Sequence, residues 1–149
     1  MTTENNLLEF VASWASGLSK IQASYEKNED FRESATLFIE KHYLFDKESV
    51  LFKPTLTNKT IFRNSAEDAL SYFIGGKYSE DLGFALKPFK SIEIKESNTI
   101  IENDLLAIMG ILVFKIKDSN ELLKVAFTFI LKLTESGLKI KIHHSSIIV

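Results

Sequence analysis

Imidazole and hydroxyl side chains near the end of the chain are its strongest candidates for chemistry. The three histidines are His42, His143 and His144, and the last two are followed directly by Ser145 and Ser146. A catalytic zinc site needs about three protein ligands that converge on one point. His143 and His144 are neighbours on a predicted strand, so their side chains leave it on opposite faces. The sequence therefore argues against a three-histidine metal site, and it indicates no metal and no cofactor.

Alternation along this last strand predicts which of the side chains face inward. Apolar residues at positions 138, 140 and 142 alternate with lysines at 139 and 141. Continuing that phase places His144 and Ser146 inside, and His143 and Ser145 outside. A bulge of one residue would exchange the two pairs. The competing interpretation is a polar strand end whose hydroxyls only satisfy backbone groups.

Thr55 and Tyr72 are further hydroxyl groups that could take part in chemistry. Thr55 follows Pro54 near a predicted strand, and Tyr72 lies towards the end of a short predicted helix. A buried tyrosine usually belongs to the core and has its hydroxyl satisfied by a carbonyl, which is the default interpretation of Tyr72. Glu80 and Asp81 are adjacent in a predicted loop, a position more typical of solvated acids than of catalytic ones. No Ser-His-Asp order or glycine-rich phosphate loop stands out.

Length and composition exclude several classes of protein. The 149 residues suit a single domain over 1–149, and 45% of them are hydrophobic, which excludes a disordered chain. A net charge of −2 offers no electrostatic footprint for nucleic acid. No run reaches the roughly 18 apolar residues of a membrane span. The first ten residues lack the features of a secretory signal, so we expect a cytoplasmic protein, or a periplasmic one if a leader was removed.

Apolar periodicity predicts the elements that must position these side chains. A stripe with helical spacing runs from Leu7 to Tyr25, and a second follows from Phe31 to His42. Ser65 fits a helix cap and Gly75-Gly76 a helix stop, so a short helix lies between them. Strands are predicted at 49–57, 60–63, 89–95, 99–101, 107–117, 122–134 and 138–149.

This order predicts an α+β domain in which helices cover one face of a curved antiparallel sheet. The arrangement resembles the nuclear transport factor 2-like cone, whose members often pair through the sheet, and we therefore expect a homodimer. The residues that could give the sheet a second apolar face are Ile92, Ile94, Ile111, Val113 and Phe127. The alternative is that these residues only line the core of the monomer.

Short segments in a fixed order carry a more specific resemblance. They are 50–55 (VLFKPT), Phe62-Arg63, 69–76 (ALSYFIGG), 80–88 (EDLGFALKP), 107–110 (AIMG) and 143–146 (HHSS). This series is similar to the iota-class carbonic anhydrases, cone-shaped domains like the association domain of calcium/calmodulin-dependent kinase II. The resemblance covers residues 38–147. The chain departs from the family after HHSS, where it lacks the proline and aromatic residue that often follow.

The resemblance implies reversible hydration of CO2 to bicarbonate. Members of this branch work without a metal, although a manganese-dependent relative has been proposed. The family's pocket holds a threonine, a tyrosine, a serine and a histidine. Carried over to this chain, the threonine is Thr55 and the tyrosine is Tyr72. Alternation selects His144 and Ser146 from the HHSS segment, with His143 and Ser145 as the alternative pair.

Under that resemblance, the three hydroxyls stabilise the negative charge that develops on the CO2 oxygens, and His144 accepts the proton of the attacking water. We expect Phe52, Phe73 and Phe84 to form the apolar wall that binds CO2. The competing hypothesis is a cone without catalytic activity that assembles oligomers or holds a small ligand, since fold alone does not fix function.

Overall fold

Two capped helices begin the chain, as the apolar spacing predicts. The computed structural model describes residues 1–149, and its first helices are α1 (Glu4–Glu26) and α2 (Phe31–His42). Thr3 accepts a hydrogen bond from the N–H of Asn6, whose side chain accepts one from the N–H of Thr3. Asp30 caps α2 in a similar way. These caps satisfy N–H groups that have no partner within the helix, which fixes where each helix starts.

The third helix, α3 (Ala66–Ile74), also has the predicted boundaries. The Ser65 hydroxyl accepts from the N–H of Asp68 at 3.1 Å. The helix ends at Gly75, whose φ of 83° is a conformation that favours glycine. The two strands predicted before this helix are only partly present. The structure has β1 at Leu51–Lys53, and residues 60–63 form a loop.

One sheet of five strands forms the other layer. After β1 come β2 (Phe89–Glu102), β3 (Leu105–Ile116), β4 (Leu122–Thr134) and β5 (Gly137–Ile147), in the spatial order β1-β5-β4-β3-β2. The last four strands form the predicted antiparallel meander, whereas β1 pairs in parallel with β5. The predicted break at 96–98 is wrong, because a register shift between Ile94 and Glu96 lets β2 continue as one strand.

The core lies between the helices and one face of this sheet. Trp14 of α1 contacts Phe129 of β4 edge-on, with 5.8 Å between ring centroids, and Phe38 of α2 contacts Phe73 of α3 at 5.3 Å. The predicted α+β class is therefore confirmed, with a mixed rather than purely antiparallel sheet. None of the helices combines the length and apolar character needed to cross a membrane.

Only some of the residues predicted for the second apolar face of the sheet lie on that face. Phe127 is buried in the core, and Ile92 and Ile94 pair with β3 residues that face the core. Ile111 and Val113 alternate with those core residues and lie on the outer face. The bulges in β2 shift its phase, which is why simple alternation misassigned the residues of that strand.

Candidate active site

The HHSS segment lies on β5 with the opposite orientation to the one predicted. His143 and Ser145 are each only 3% exposed and face the core. His144 and Ser146 are exposed on the outer face, where they line a groove of about 540 Å³. The prediction that His144 and Ser146 face inward is therefore wrong, and His143 and Ser145 face the core instead.

A bulge in β5 causes this reversal. Ile142 pairs with Ile130 of β4, and Ile140 pairs with Leu131, so Lys141 has no partner of its own. Because side chains along a strand alternate with a period of two, one inserted residue moves every later side chain to the other face. Ile140 is accordingly buried, and Ile142 is 36% exposed.

His143 lies at the centre of a buried aromatic and polar cluster. The parallel pairing of β1 with β5 places Phe52 opposite His143, and the two rings stack with centroids 4.6 Å apart. His143 Nε2 lies 2.7 Å from Ser145 Oγ, and His143 Nδ1 lies 2.9 Å from the hydroxyl of Tyr43. Both ring nitrogens are thus engaged. Burial holds the pKa of His143 well below its ordinary value, with smaller contributions from His144 and Lys53.

Tyr72 presents its hydroxyl to the backbone just after β1. Its oxygen accepts a hydrogen bond from the N–H of Leu56 at 3.1 Å, and its ring stacks on Phe84 at 5.5 Å. Burial raises the pKa of Tyr72, and hydrogen bonds from the Leu56 backbone and the Thr55 side chain oppose that rise. The phenol therefore keeps its proton at neutral pH. Since the N–H of Leu56 occupies only an oxygen lone pair, that proton is available to another acceptor.

The predicted phenylalanine wall joins these two polar groups. The Phe52 ring contacts both the Tyr72 ring, at 6.2 Å between centroids, and the His143 ring at 4.6 Å. Phe73 contacts Phe52 at 5.9 Å and Tyr72 at 5.4 Å, and Phe84 covers another face of Tyr72. The fold thus brings the ring of Tyr72 and the ring of His143, which is bonded to Ser145, into one aromatic cluster.

Comparison with known proteins identifies the family. The model of the metal-independent carbonic anhydrase family matches residues 5–147. The chain belongs to this family. A metal-independent carbonic anhydrase from Nostoc sp. is 30% identical over 150 residues, which cover 97% of this chain and 73% of that protein. The resemblance found in the sequence is thereby confirmed.

Solved structures agree with that assignment. The iota-carbonic anhydrase of a cyanobacterium, crystallised with bicarbonate, superposes with a TM-score of 0.92 at 29% identity, covering 99% of this chain and 93% of that one. A nuclear transport factor 2-like protein from Cytophaga hutchinsonii has a TM-score of 0.65 at 10% identity, covering 99% and 100%. The second likeness shows the fold alone, and it confirms the predicted cone.

This member of the carbonic anhydrase family also has a buried ion pair beside the candidate site, which the sequence did not indicate. Arg63 is fully buried and donates two hydrogen bonds to Asp81, at 2.7 and 2.8 Å. Ser71, the neighbour of Tyr72 on α3, donates to the same carboxylate at 2.5 Å. Glu80 accepts hydrogen bonds from the N–H groups of residues 58–60. The prediction of solvated loop acids is therefore wrong, and Asp81 ties α3 to the loop that carries Arg63.

Trp14 and Tyr43 are the other residues whose part in the site the sequence did not reveal. Trp14 belongs to the apolar stripe of α1, and its Nε1–H donates to the Tyr43 hydroxyl at 3.1 Å. Tyr43 lies 100 positions before His143 in the chain. No local pattern could indicate a contact across that separation. No group of three or more His, Cys, Asp or Glu side chains is placed to hold a metal ion.

Proposed function

We propose that this chain catalyses the reversible hydration of CO2 to bicarbonate at the cluster of Thr55, Tyr72, His143 and Ser145. The observation that carries the proposal is the buried Ser145–His143 hydrogen bond, whose histidine ring lies in the same aromatic cluster as the Tyr72 ring. Membership of the metal-independent carbonic anhydrase family supports it.

The reaction needs hydrogen-bond donors more than it needs a large cavity. The oxygen of water attacks the carbon of CO2 and negative charge develops on the CO2 oxygens. One O–H bond of the attacking water breaks, and its proton passes to bulk water. The Tyr72 and Ser145 hydroxyls are neutral donors in a region walled by phenylalanine rings, where water competes little for them. One well-placed donor of this kind stabilises the transition state by about 3 kcal/mol. CO2 has only three atoms, so its binding needs little space.

The other residues predicted from the sequence have different roles in the proposed reaction, or none. Thr55 precedes Leu56, whose N–H bonds to the Tyr72 hydroxyl, and we assign it as a further hydroxyl beside Tyr72. Phe52, Phe73 and Phe84 exclude water and bind CO2. His144 and Ser146 have no part in it, because they face away from the cluster.

Tyr72→Phe is expected to reduce CO2 hydration by about 100-fold without unfolding the protein, because it removes one donor and keeps the ring. The measurement is stopped-flow hydration with a pH indicator on chelator-treated protein. Tyr78→Phe is the matched control. It also removes one hydroxyl, which lies 3.0 Å from Asp68 rather than in the cluster, and it should leave the rate unchanged.

Full activity of Tyr72→Phe would contradict the assignment of the site. A wild-type protein that is inactive, with or without added metal, would contradict the proposed reaction. The alternative would then be a cone that binds a ligand or assembles oligomers. A rate that disappears on chelation and returns with a metal would contradict the metal-independent mechanism.

We also propose that two copies of this chain pair through the outer face of the sheet. Apolar side chains on that face include Met109, Ile111, Ile130 and Ile142, and Met109 is 57% exposed. Exposed apolar patches of this kind are typical of interaction surfaces. A second copy offers the same patch, so a two-fold arrangement would cover both.

Met109→Glu is expected to convert the dimer to a monomer, since the charge would be buried without a partner at the interface. Leu37→Glu is the control, because Leu37 has the same exposed fraction, 57%, but lies on α2. Sedimentation equilibrium measures the mass of each protein. A wild-type monomer, or a dimer that survives Met109→Glu, would contradict pairing through this face.

A further inference from the structure

Four hydrogen-bonded side chains form a path through the core from α1 to β5. Trp14 Nε1 donates to the Tyr43 hydroxyl at 3.1 Å, that hydroxyl lies 2.9 Å from His143 Nδ1, and His143 Nε2 lies 2.7 Å from Ser145 Oγ. The four residues are between 0% and 4% exposed, so water does not compete for these groups. The hydrogen of the Tyr43 hydroxyl must therefore go to a partner within the path, because this oxygen has no hydrogen-bond partner outside it.

The Tyr43 hydroxyl sets the direction of the path, because the opposite direction would leave its proton buried without an acceptor. The indole N–H of Trp14 can donate but cannot accept. The single proton of the Tyr43 hydroxyl consequently has one acceptor in the path, which is His143 Nδ1. A neutral imidazole that accepts at Nδ1 carries its hydrogen on Nε2. His143 Nε2–H then donates to Ser145 Oγ, and the hydroxyl proton of Ser145 is left for an acceptor outside the path.

We propose that Tyr43 is a positioning residue that fixes His143 as the Nε2–H tautomer and thereby makes Ser145 a hydrogen-bond donor to the substrate. This inference rests on the proposed function. In the opposite direction, Ser145 would donate to His143, as a nucleophile does to its base. The donor needed for charge on the CO2 oxygens would then be lost.

The same assignment removes His143 from the role of proton acceptor. Its Nδ1 lone pair is occupied by Tyr43, and its Nε2 already carries hydrogen. The burial that lowers the pKa of His143 also opposes its protonation. The histidine of the HHSS segment thus acts through Ser145, rather than on the attacking water.

His42 provides an internal comparison with the opposite tautomer. His42 Nδ1 lies 2.8 Å from the carbonyl oxygen of Phe38, which can only accept, so Nδ1 carries the hydrogen. His42 Nε2 then accepts from the Ser13 hydroxyl at 3.0 Å. Burial lowers the pKa of His42 to about 4, so this ring also stays neutral at neutral pH. His42 therefore serves as an internal reference for the Nδ1–H tautomer, against which the Nε2–H tautomer of His143 can be compared in the same spectrum.

The test is a long-range ¹H–¹⁵N correlation spectrum of protein labelled with ¹⁵N-histidine, recorded at neutral pH. In the wild type we expect His143 to carry its hydrogen on Nε2 and His42 to carry it on Nδ1. In Tyr43→Phe the Nδ1 of His143 loses its donor, so both tautomers become populated. We expect kcat for CO2 hydration to fall about tenfold with little change in KM, because the weakened donor acts in the transition state.

Ser13→Ala is the matched control, since it also leaves one buried histidine nitrogen without its hydroxyl partner. It should change neither the His143 tautomer nor kcat. A wild-type His143 with hydrogen on Nδ1 would overturn the inference without requiring any variant to fold. An equal loss of kcat in Ser13→Ala and Tyr43→Phe would also overturn it, by showing a general effect on stability.

The failure of the proposed function would look different. Wild-type protein that is inactive while His143 carries hydrogen on Nε2 would overturn CO2 hydration and confirm the direction of the hydrogen bonds. Active protein with the other tautomer would keep the reaction and overturn the role of Tyr43.

Discussion

Ser145→Ala is expected to lower kcat/KM for CO2 hydration by about 100-fold or more, whereas Ser146→Ala is expected to leave it unchanged. The two serines are adjacent, but only Ser145 is buried and bonded to His143 Nε2, at 2.7 Å. Removing its hydroxyl deletes the donor that we place against the negative charge of the transition state. Ser146 lies on the outer face of the sheet, where its hydroxyl cannot reach that charge.

This pair of variants forms a closely matched comparison. Each loses one hydroxyl from the same strand, one residue apart, so a general effect on β5 would appear in both. Stopped-flow hydration gives the rates, and thermal unfolding followed by circular dichroism shows whether each variant keeps its fold. Similar rates for the two variants would contradict the assignment of Ser145, and a loss confined to Ser146→Ala would restore the orientation predicted from the sequence.

The helices and the meander could be predicted because their signals are local. The stripe on α1 repeats with the helical period, and Ser65 and Gly75 mark the ends of α3 through their own backbone chemistry. The resemblance to carbonic anhydrases selects Thr55 and Tyr72 without needing the direction of a strand, and their part in the reaction stays a prediction. Each of these inferences depends on residues within a few positions of one another.

The orientation of HHSS could not be predicted because both faces of β5 carry apolar residues. Ile140 is buried in the core, whereas Ile142 is partly exposed on the outer face. In the sequence, however, the apolar residues at 138, 140 and 142 follow an unbroken alternation that predicts one face for all three. A bulge at Lys141 is compatible with that pattern and reverses every side chain after it. Alternation identifies a face only where the other face is polar.

The contacts of Tyr43 and Arg63 could not be predicted for a different reason. Tyr43 meets His143 across 100 positions of the chain, and Arg63 meets Asp81 across 18. A single sequence gives the types of these residues but not their pairing. A buried arginine is rare unless its charge is paired. The burial of Arg63 therefore indicates a charged partner, but that burial is known only from the fold.

Arg63→Met is expected to destabilise the fold by about 3–5 kcal/mol, because it leaves the carboxylate of Asp81 buried without its partner. The Asp81 side chain is 2% exposed, and that of Arg63 is 0% exposed. Arg63 also donates through Nε to the carbonyl of Thr60 at 2.9 Å. Its loss therefore frees the loop at 57–63 as well as the loop that carries Asp81.

The loss of Arg63 should also lower activity at the proposed site. Asp81 accepts from Ser71 at 2.5 Å, and Ser71 precedes Tyr72 on α3. The backbone N–H of Arg63 bonds to the carbonyl of Phe52 at 2.7 Å, next to the stacked His143. A looser pairing of these elements displaces the Tyr72 hydroxyl, so the CO2 hydration rate of the folded fraction should fall as well.

Urea unfolding at neutral pH measures the change in stability, and a double variant separates charge from packing. Arg63→Met combined with Asp81→Leu removes both charges, so it should recover part of the stability lost by Arg63→Met alone. Lys77→Met is the control, since Lys77 pairs with Asp68 at 2.8 Å but is 42% exposed, and its loss should change stability little. If Arg63→Met cost no more than Lys77→Met, the buried pair would not hold these loops, because an unpaired carboxylate in this position cannot be tolerated without a large loss of stability.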